Sequence, residues 1–214
     1  MPQQLQQCLA AMPLVAILRG VAAEDIYAVS QQLYASGMRI IEVPLNSPQP
    51  FASIRRLSDS LGQDCLCGAG TVLTVDQVEQ VFAAGGRLVV SPNTDPAVIQ
   101  RTVELGMVSM PGFATPSEAF AAIQAGATAL KLFPAKAIGM DFLKALLEVL
   151  PPGMPVVATG GINPENLGDW FRAGVAGVGI GGDLYKAGRD SADVRRRADN
   201  FVAAWRSLQR PSAA

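Results

Sequence analysis

Short apolar runs recur along this chain at near-even spacing. They occupy residues 14–18, 38–43, 65–70, 87–92, 107–112, 128–133, 155–161 and 175–182, a mean interval of about 23 residues from first start to last. Continuous apolar runs of this length are the pattern of strands buried on both faces of a parallel sheet. Between them the apolar positions shift to a helical period. Segment 24–36 sets Ile26, Val29, Leu33 and Ser36 along one face, and segment 75–84 does the same with Val78, Val81 and Phe82. Helices are likewise predicted over 48–60, 96–105, 116–125, 140–150, 164–173 and 192–208. Three begin on a capping residue followed by proline: Asp95-Pro96, Thr115-Pro116 and Asn163-Pro164. Gly37, Gly85, Gly106, Gly126 and Gly174 mark helix ends.

Eight alternations of buried strand and helix predict an α/β fold, a single (β/α)8 TIM barrel over about residues 13–205, in one domain spanning 1–214. A short N-terminal helix precedes the first strand, and residues 210–214 are expected to fray. The runner-up is a doubly wound open sheet.

Composition narrows the chemistry. The 214 residues hold 17 Lys+Arg against 18 Asp+Glu, a formal net charge of −1. That balance argues against a nucleic-acid surface and a polybasic membrane anchor. No apolar window is long enough to span a membrane, and the N-terminal residues lack the pattern of a signal peptide. The chain contains no histidine. A Ser-His-Asp or Cys-His pair and a His-ligated zinc are therefore excluded, and no metal or other cofactor is expected. Acid–base chemistry must come from a retuned carboxylate, lysine, cysteine or tyrosine. The three cysteines, Cys8, Cys65 and Cys67, are odd in number and lack a C-x-x-C spacing. They suit a reducing cytoplasm.

A TIM barrel carries its active site at the C-terminal ends of its strands. Lys131 lies there between Leu130 and Leu132. If those leucines face the helices, strand alternation turns Lys131 into the barrel. A desolvated amine is neutral and nucleophilic, and forms Schiff bases with carbonyls. The alternative is a lysine that snorkels out of the barrel mouth. Glu42, near the end of the second run, is placed to shuttle protons, or else forms a structural salt bridge. Arg19, at the end of the first run, suits a carboxylate or phosphate, or simply neutralises Glu42. Gly160 and Gly161 follow the seventh run, and Gly181 and Gly182 the eighth, where barrels commonly bind phosphate. The alternative for these glycines is tight turning. Thr71 offers a hydroxyl and N–H to an anion or caps the next helix. Cys65 and Cys67, without a basic neighbour, read as packing residues.

Seven motifs in order carry a family resemblance. They are Ile17-Leu18-Arg19-Gly20, Glu42-Val43-Pro44-Leu45-Asn46-Ser47-Pro48, Gly68-Ala69-Gly70-Thr71-Val72, Ser91-Pro92-Asn93, Leu130-Lys131-Leu132-Phe133-Pro134, Thr159-Gly160-Gly161-Ile162 and Gly181-Gly182-Asp183-Leu184-Tyr185. Together they resemble the class I KDPG/KHG aldolases, which cleave 2-keto-3-deoxy-6-phospho sugar acids. The run from Glu42 to Pro48 and the Asp183-Leu184-Tyr185 segment look like the branch acting on 2-dehydro-3-deoxy-6-phosphogalactonate. Many members have an arginine at the position of Asn46 and a serine at that of Gly182; here the arginine stands at Arg19.

The resemblance implies Lys131 as the Schiff-base lysine and Glu42 as the general acid/base. It implies Arg19 and Thr71 on the substrate carboxylate, and Pro92 and Phe133 around the pyruvyl group. Gly160, Gly161, Gly181 and Gly182 would hold the phosphate. Products would be pyruvate and D-glyceraldehyde 3-phosphate, formed by a homo-oligomer, typically a trimer. The competing readings are the gluconate epimer or a broad-specificity aldolase, a non-covalent sugar-phosphate isomerase or epimerase, and a non-catalytic phosphate-binding module.

Overall fold

The computed structural model describes residues 2–209. The predicted tail, 210–214, lies outside the described residues. Nine parallel strands form one sheet: β1 (Leu14–Ile17), β2 (Ile40–Pro44), β3 (Leu66–Gly70), β4 (Leu88–Val90), β5 (Val108–Met110), β6 (Gly112–Phe113), β7 (Leu130–Leu132), β8 (Val156–Thr159) and β9 (Gly177–Ile180). Their order is β5-β4-β3-β2-β1-β9-β8-β7-β6. The two ends of that order, β5 and β6, are successive pieces of one run interrupted at Pro111. Lys131 N–H donates to the Pro111 carbonyl at 2.8 Å, and Ala129 N–H to the Ser109 carbonyl at 3.2 Å. These bonds close the sheet into the predicted barrel, with the fifth run split because proline lacks the N–H a continuous ladder needs.

The helices run α1 (Pro2–Ala11), α2 (Ile26–Ser36), α3 (Pro50–Leu61), α4 (Val75–Ala83), α5 (Pro96–Glu104), α6 (Pro116–Gln124), α7 (Ala135–Ile138), α8 (Met140–Leu147), α9 (Leu167–Arg172) and α10 (Ser191–Leu208). Local chemistry accounts for several boundaries. The Asp95 carboxylate accepts from the N–H groups of Ala97 and Val98, and Thr115 forms a capping box with Glu118. Asn163-Pro164 does not open a helix as expected. Asn163 and Asn166 bond each other's backbone N–H, and α9 starts only at Leu167. The short α7 was not foreseen; it precedes Gly139, whose φ of 93° separates it from α8.

Two buried clusters follow strand parity. Leu14, Ala16, Leu18, Ile41, Val43, Leu130 and Leu132 pack in the outer layer with the helices. Val15, Ile40, Leu66, Leu88, Val90, Val108, Met110, Ala129 and Val157 form the second cluster together with Leu5, Cys8 and Leu9 of α1. That second cluster is the barrel interior, and α1 closes its N-terminal end. Ile26, Val29, Leu33 and Ser36 are buried as predicted. Phe82 is not: it remains 38% exposed, with the Arg87 guanidinium 5.1 Å from its ring centroid.

Candidate active site

Lys131 shares the inward parity of Ala129, because Leu130 and Leu132 belong to the outer layer. Its side chain is buried, and Nζ lies 4.8 Å from the Phe133 ring centroid. Glu42, in the middle of β2, is 2% exposed, and its Oε2 has no hydrogen-bond partner among the described residues. Space for that carboxylate comes from Gly70, where an added Cβ would sit 1.9 Å from Oε2. Glu42 and Lys131 are absent from the ion pairs that join described residues, so the alternative reading of Glu42, a structural salt bridge, is not what forms.

Burial pushes both groups toward neutrality. Desolvation raises Glu42 to about 7, against the opposing pull of the Lys131 and Arg19 charges. Desolvation lowers Lys131, reinforced by Arg19 and opposed by Glu42. A proton donor titrating near neutrality therefore shares the barrel interior with an amine biased to its nucleophilic form. Unpartnered groups of this kind are unfavourable in a core, and such groups concentrate at functional sites.

Arg19 lies just past β1 and is exposed. Its Nη1 donates to Asn46 Oδ1 at 2.6 Å rather than to Glu42. The adjacent Gly20 N–H donates to Ser47 Oγ at 2.9 Å. Asn46 is thus the guanidinium's partner, and a neutral partner leaves its positive charge uncompensated. Thr71 follows β3 with φ at 57°, an unusual backbone for a β-branched residue. Pro92 follows β4, and its carbonyl lies against Gly112, where a Cβ would come within 2.3 Å of it. Phe133 ends the β7 run beside Lys131. All these residues lie at the C-terminal ends of their strands.

A cleft of about 360 Å³ at this end joins Arg19, Phe133, Gly160, Gly161, Gly181 and Gly182. Gly160 and Gly161 take φ values of 102° and 78°, which side chains rarely adopt. The N–H groups of Gly161, Ile162, Gly182 and Asp183 donate to no described residue. Free amides in glycine turns beside a cleft are suited to an anion. A roomier surface cavity of about 540 Å³ is lined by residues of α2 and α10, including Ser36 and Arg195. None of the inward strand residues borders it, so the strand-end cleft is the better site.

Sequence reading missed several residues here. Thr159, Ile17, Asp183 and Lys186 also line the cleft. Thr159 had a signal, since it is a polar residue ending an apolar run at the correct end of the barrel. Lys186 had none beyond its charge. Cys65 and Cys67 pack in the outer layer, and burial raises both thiols, Cys65 to about 11, so they are packing residues as expected. Among the described residues no cluster of His, Cys, Asp and Glu could hold a metal.

Comparison with known proteins places this geometry. The family profile described as KDPG and KHG aldolase matches residues 5–197. The chain is 47% identical over 193 residues to a probable 2-dehydro-3-deoxy-6-phosphogalactonate aldolase of Rhizobium meliloti, covering 90% of this chain and 91% of that protein. It is 46% identical over 195 residues to the 2-dehydro-3-deoxy-6-phosphogalactonate aldolase of Escherichia coli K12, covering 91% and 95%. A solved structure described as native KDPGal superposes with a TM-score of 0.91 at 45% identity, covering 92% of this chain and 96% of that one. With its barrel, its buried amine and carboxylate, and these relatives, the chain belongs to the KDPG/KHG aldolase family of class I carbon–carbon lyases.

Proposed function

We propose that this enzyme cleaves 2-dehydro-3-deoxy-6-phospho-D-galactonate to pyruvate and D-glyceraldehyde 3-phosphate through a Schiff base on Lys131. The observation that carries the mechanism is the buried Lys131 amine with the unpartnered Glu42 carboxylate in the same barrel interior. The likeness to relatives bearing the galactonate name supports the choice of epimer.

The chemistry runs on these two side chains. The neutral Lys131 amine adds to the C2 carbonyl, and Glu42 supplies and removes protons as the carbinolamine loses water. The resulting iminium is the electron sink. The Glu42 carboxylate takes the C4 hydroxyl proton, the C3–C4 bond breaks, its electron pair moves into the enamine, and the aldehyde departs. Glu42 then protonates the enamine at C3, and water releases pyruvate from Lys131. Arg19 and Thr71 hold the carboxylate, Pro92 and Phe133 border the pyruvyl group, and the amides of Gly160, Gly161, Gly181 and Gly182 receive the phosphate.

The whole chain acts as one domain. Leu73, Val75, Phe82 and Val103, exposed on α4, its leading turn and α5, support assembly into a homo-oligomer, a trimer by family likeness; sedimentation velocity measures this state. Three free, buried cysteines suit a cytoplasmic setting. No helix among the described residues is long and apolar enough to cross a membrane.

Borohydride reduction with pyruvate, followed by peptide mass mapping, tests the central step. The expected result is a pyruvate adduct on the peptide holding Lys131, lost in Lys131→Met. No adduct, or one on another lysine, would sink the mechanism. Turnover of the galactonate and gluconate epimers side by side decides the substrate.

A further inference from the structure

The turn after β9 is held from behind by a guanidinium. Arg189 Nη1 donates to three consecutive carbonyls, those of Gly182 at 3.3 Å, Asp183 at 3.2 Å and Leu184 at 2.8 Å. The Arg189 side chain is 12% exposed, and its Nε lies 3.4 Å from Asp193 Oδ2. Asp193 Oδ2 also accepts from Arg197 Nε at 2.9 Å, and Arg197 Nη1 donates to the Asp183 carbonyl at 3.0 Å. Asp193, on α10, thereby anchors Arg189 just before that helix and Arg197 within it against the same turn.

Peptide geometry converts these bonds into a consequence on the other side. In a planar trans peptide the carbonyl of one residue and the N–H of the next point in opposite directions. The Gly181 carbonyl accepts from the N–H groups of Leu184 and Tyr185, each at 2.9 Å. The Gly182 N–H is therefore directed away from that bond, and Arg189, by holding the Gly182 carbonyl, directs the Asp183 N–H likewise. Neither N–H donates to a described residue. Gly181, Gly182 and Asp183 border the strand-end cleft, and Arg189 does not. The arrangement sets a positive charge, then the Gly182–Asp183 peptide dipole, then the free Asp183 N–H, while the N–H groups behind the Asp183 and Leu184 carbonyls tie the turn to the Gly181 carbonyl and so fix the Gly182 N–H beside it. Lys186 borders the cleft on the same turn and adds a second positive charge.

We propose that Arg189 is a positioning residue for phosphate recognition: its guanidinium fixes and polarises the turn after β9 so that the Gly182 and Asp183 amides receive the substrate's phosphate. This rests on the proposed placement of the phosphate at the glycine loops. It adds Arg189 and the Asp183 amide to that site, and it supplies an ordering contact in a turn where Gly182 offers no side chain of its own.

The test compares Arg189→Met and Arg189→Lys with the parent enzyme. The readouts are KM and kcat for the phosphorylated and unphosphorylated 2-keto-3-deoxy sugar acids, and competitive inhibition by inorganic phosphate. In Arg189→Met, KM for the phosphorylated substrate and Ki for phosphate are expected to rise about tenfold or more, with kcat changed less than about threefold. Turnover of the unphosphorylated substrate is expected to hold, because that substrate never engages the turn. Arg189→Lys keeps the charge but loses the Nε contact to Asp193 that orients the head group, so it is expected to fall between the two. Equal losses on both substrates, or an unchanged phosphate Ki, would overturn the proposal. If Arg189→Met fails to fold, the phosphate Ki of Arg189→Lys decides in the same way. Failure of the underlying reading is seen separately, as a parent enzyme that phosphate does not inhibit or that pyruvate and borohydride do not label at Lys131.

Discussion

Lys131 and Glu42 are two ionisable groups that share one solvent-poor interior, so they titrate as a pair. The direction of each effect is clear. Below about 7 Glu42 holds a proton and cannot accept one, and Lys131, though lowered by burial, tends to its cationic form as pH falls. Both changes act against amine addition, so kcat/KM is expected to fall on the acid side with an apparent pKa near 7. Glu42→Gln should cost most of the activity and move that limb to lower pH, because the carboxylate that favours the Lys131 cation is gone, whereas an acid limb unchanged in Glu42→Gln would assign it to another group. Lys131 was legible in the sequence because its alternation with two leucines is a one-dimensional pattern that fixes a three-dimensional direction. Arg189 was not, because it acts on backbone carbonyls, and no spacing of residue types records where a carbonyl points. Arg19 was legible as a cation at the right strand end, but its neutral partner Asn46 lies 27 positions away and emerged only when β1 and β2 paired.

Among the elements, β3 separates fold from chemistry within three residues. Both Gly68 and Gly70 are inward neighbours of β2, in register with Glu42 and Pro44. A Cβ at Gly68 would sit 1.9 Å from the Leu88 backbone carbonyl of β4, and a Cβ at Gly70 would sit 1.9 Å from the Glu42 carboxylate. Backbone of a closed barrel cannot step aside, whereas a carboxylate at the end of a side chain can. Gly68→Ala is therefore expected to lose soluble, folded protein. Gly70→Ala is expected to keep its circular dichroism and melt cooperatively while losing on the order of a hundredfold in kcat, as Glu42 leaves its place. A Gly70→Ala enzyme of full activity would show that Glu42 works from another position. Strand existence was readable from the apolar runs, and helix starts where a side chain caps its own turn, as at Asp95 and Thr115. Where a reciprocal side-chain turn competed, at Asn163 and Asn166, the cap signal misplaced the start of α9. The split of the fifth run at Pro111 was equally visible as a proline, but its role in closing the barrel depends on both neighbours being present.

At the scale of the whole molecule, the barrel has a sealed end and a working end. Leu5 is fully buried, and Leu5, Cys8 and Leu9 of α1 join the interior cluster that contains Val15, Ile40, Leu66 and Val157. Gly177 makes room for that plug, since a Cβ there would lie 3.0 Å from Leu9 Cδ2. The reacting groups lie further along the same strands, toward the opposite end. Stability and chemistry should therefore separate on mutation. Leu5→Ala removes most of a buried side chain from the floor and leaves a cavity beneath it, which destabilises by about 2–5 kcal/mol and lowers Tm by roughly 5–15 °C. The cleft should not register the change: KM, kcat and the rate of borohydride trapping with pyruvate at 25 °C are expected to match the parent. The measurement is a thermal melt beside steady-state kinetics on the same preparation. A Leu5→Ala enzyme with an unchanged melt would mean that α1 covers the floor without supporting it. One with a changed KM well below its Tm would mean that packing at the floor reaches Lys131 through Ala129, two residues earlier on the same inward face, and that the two ends of the barrel form one mechanical unit.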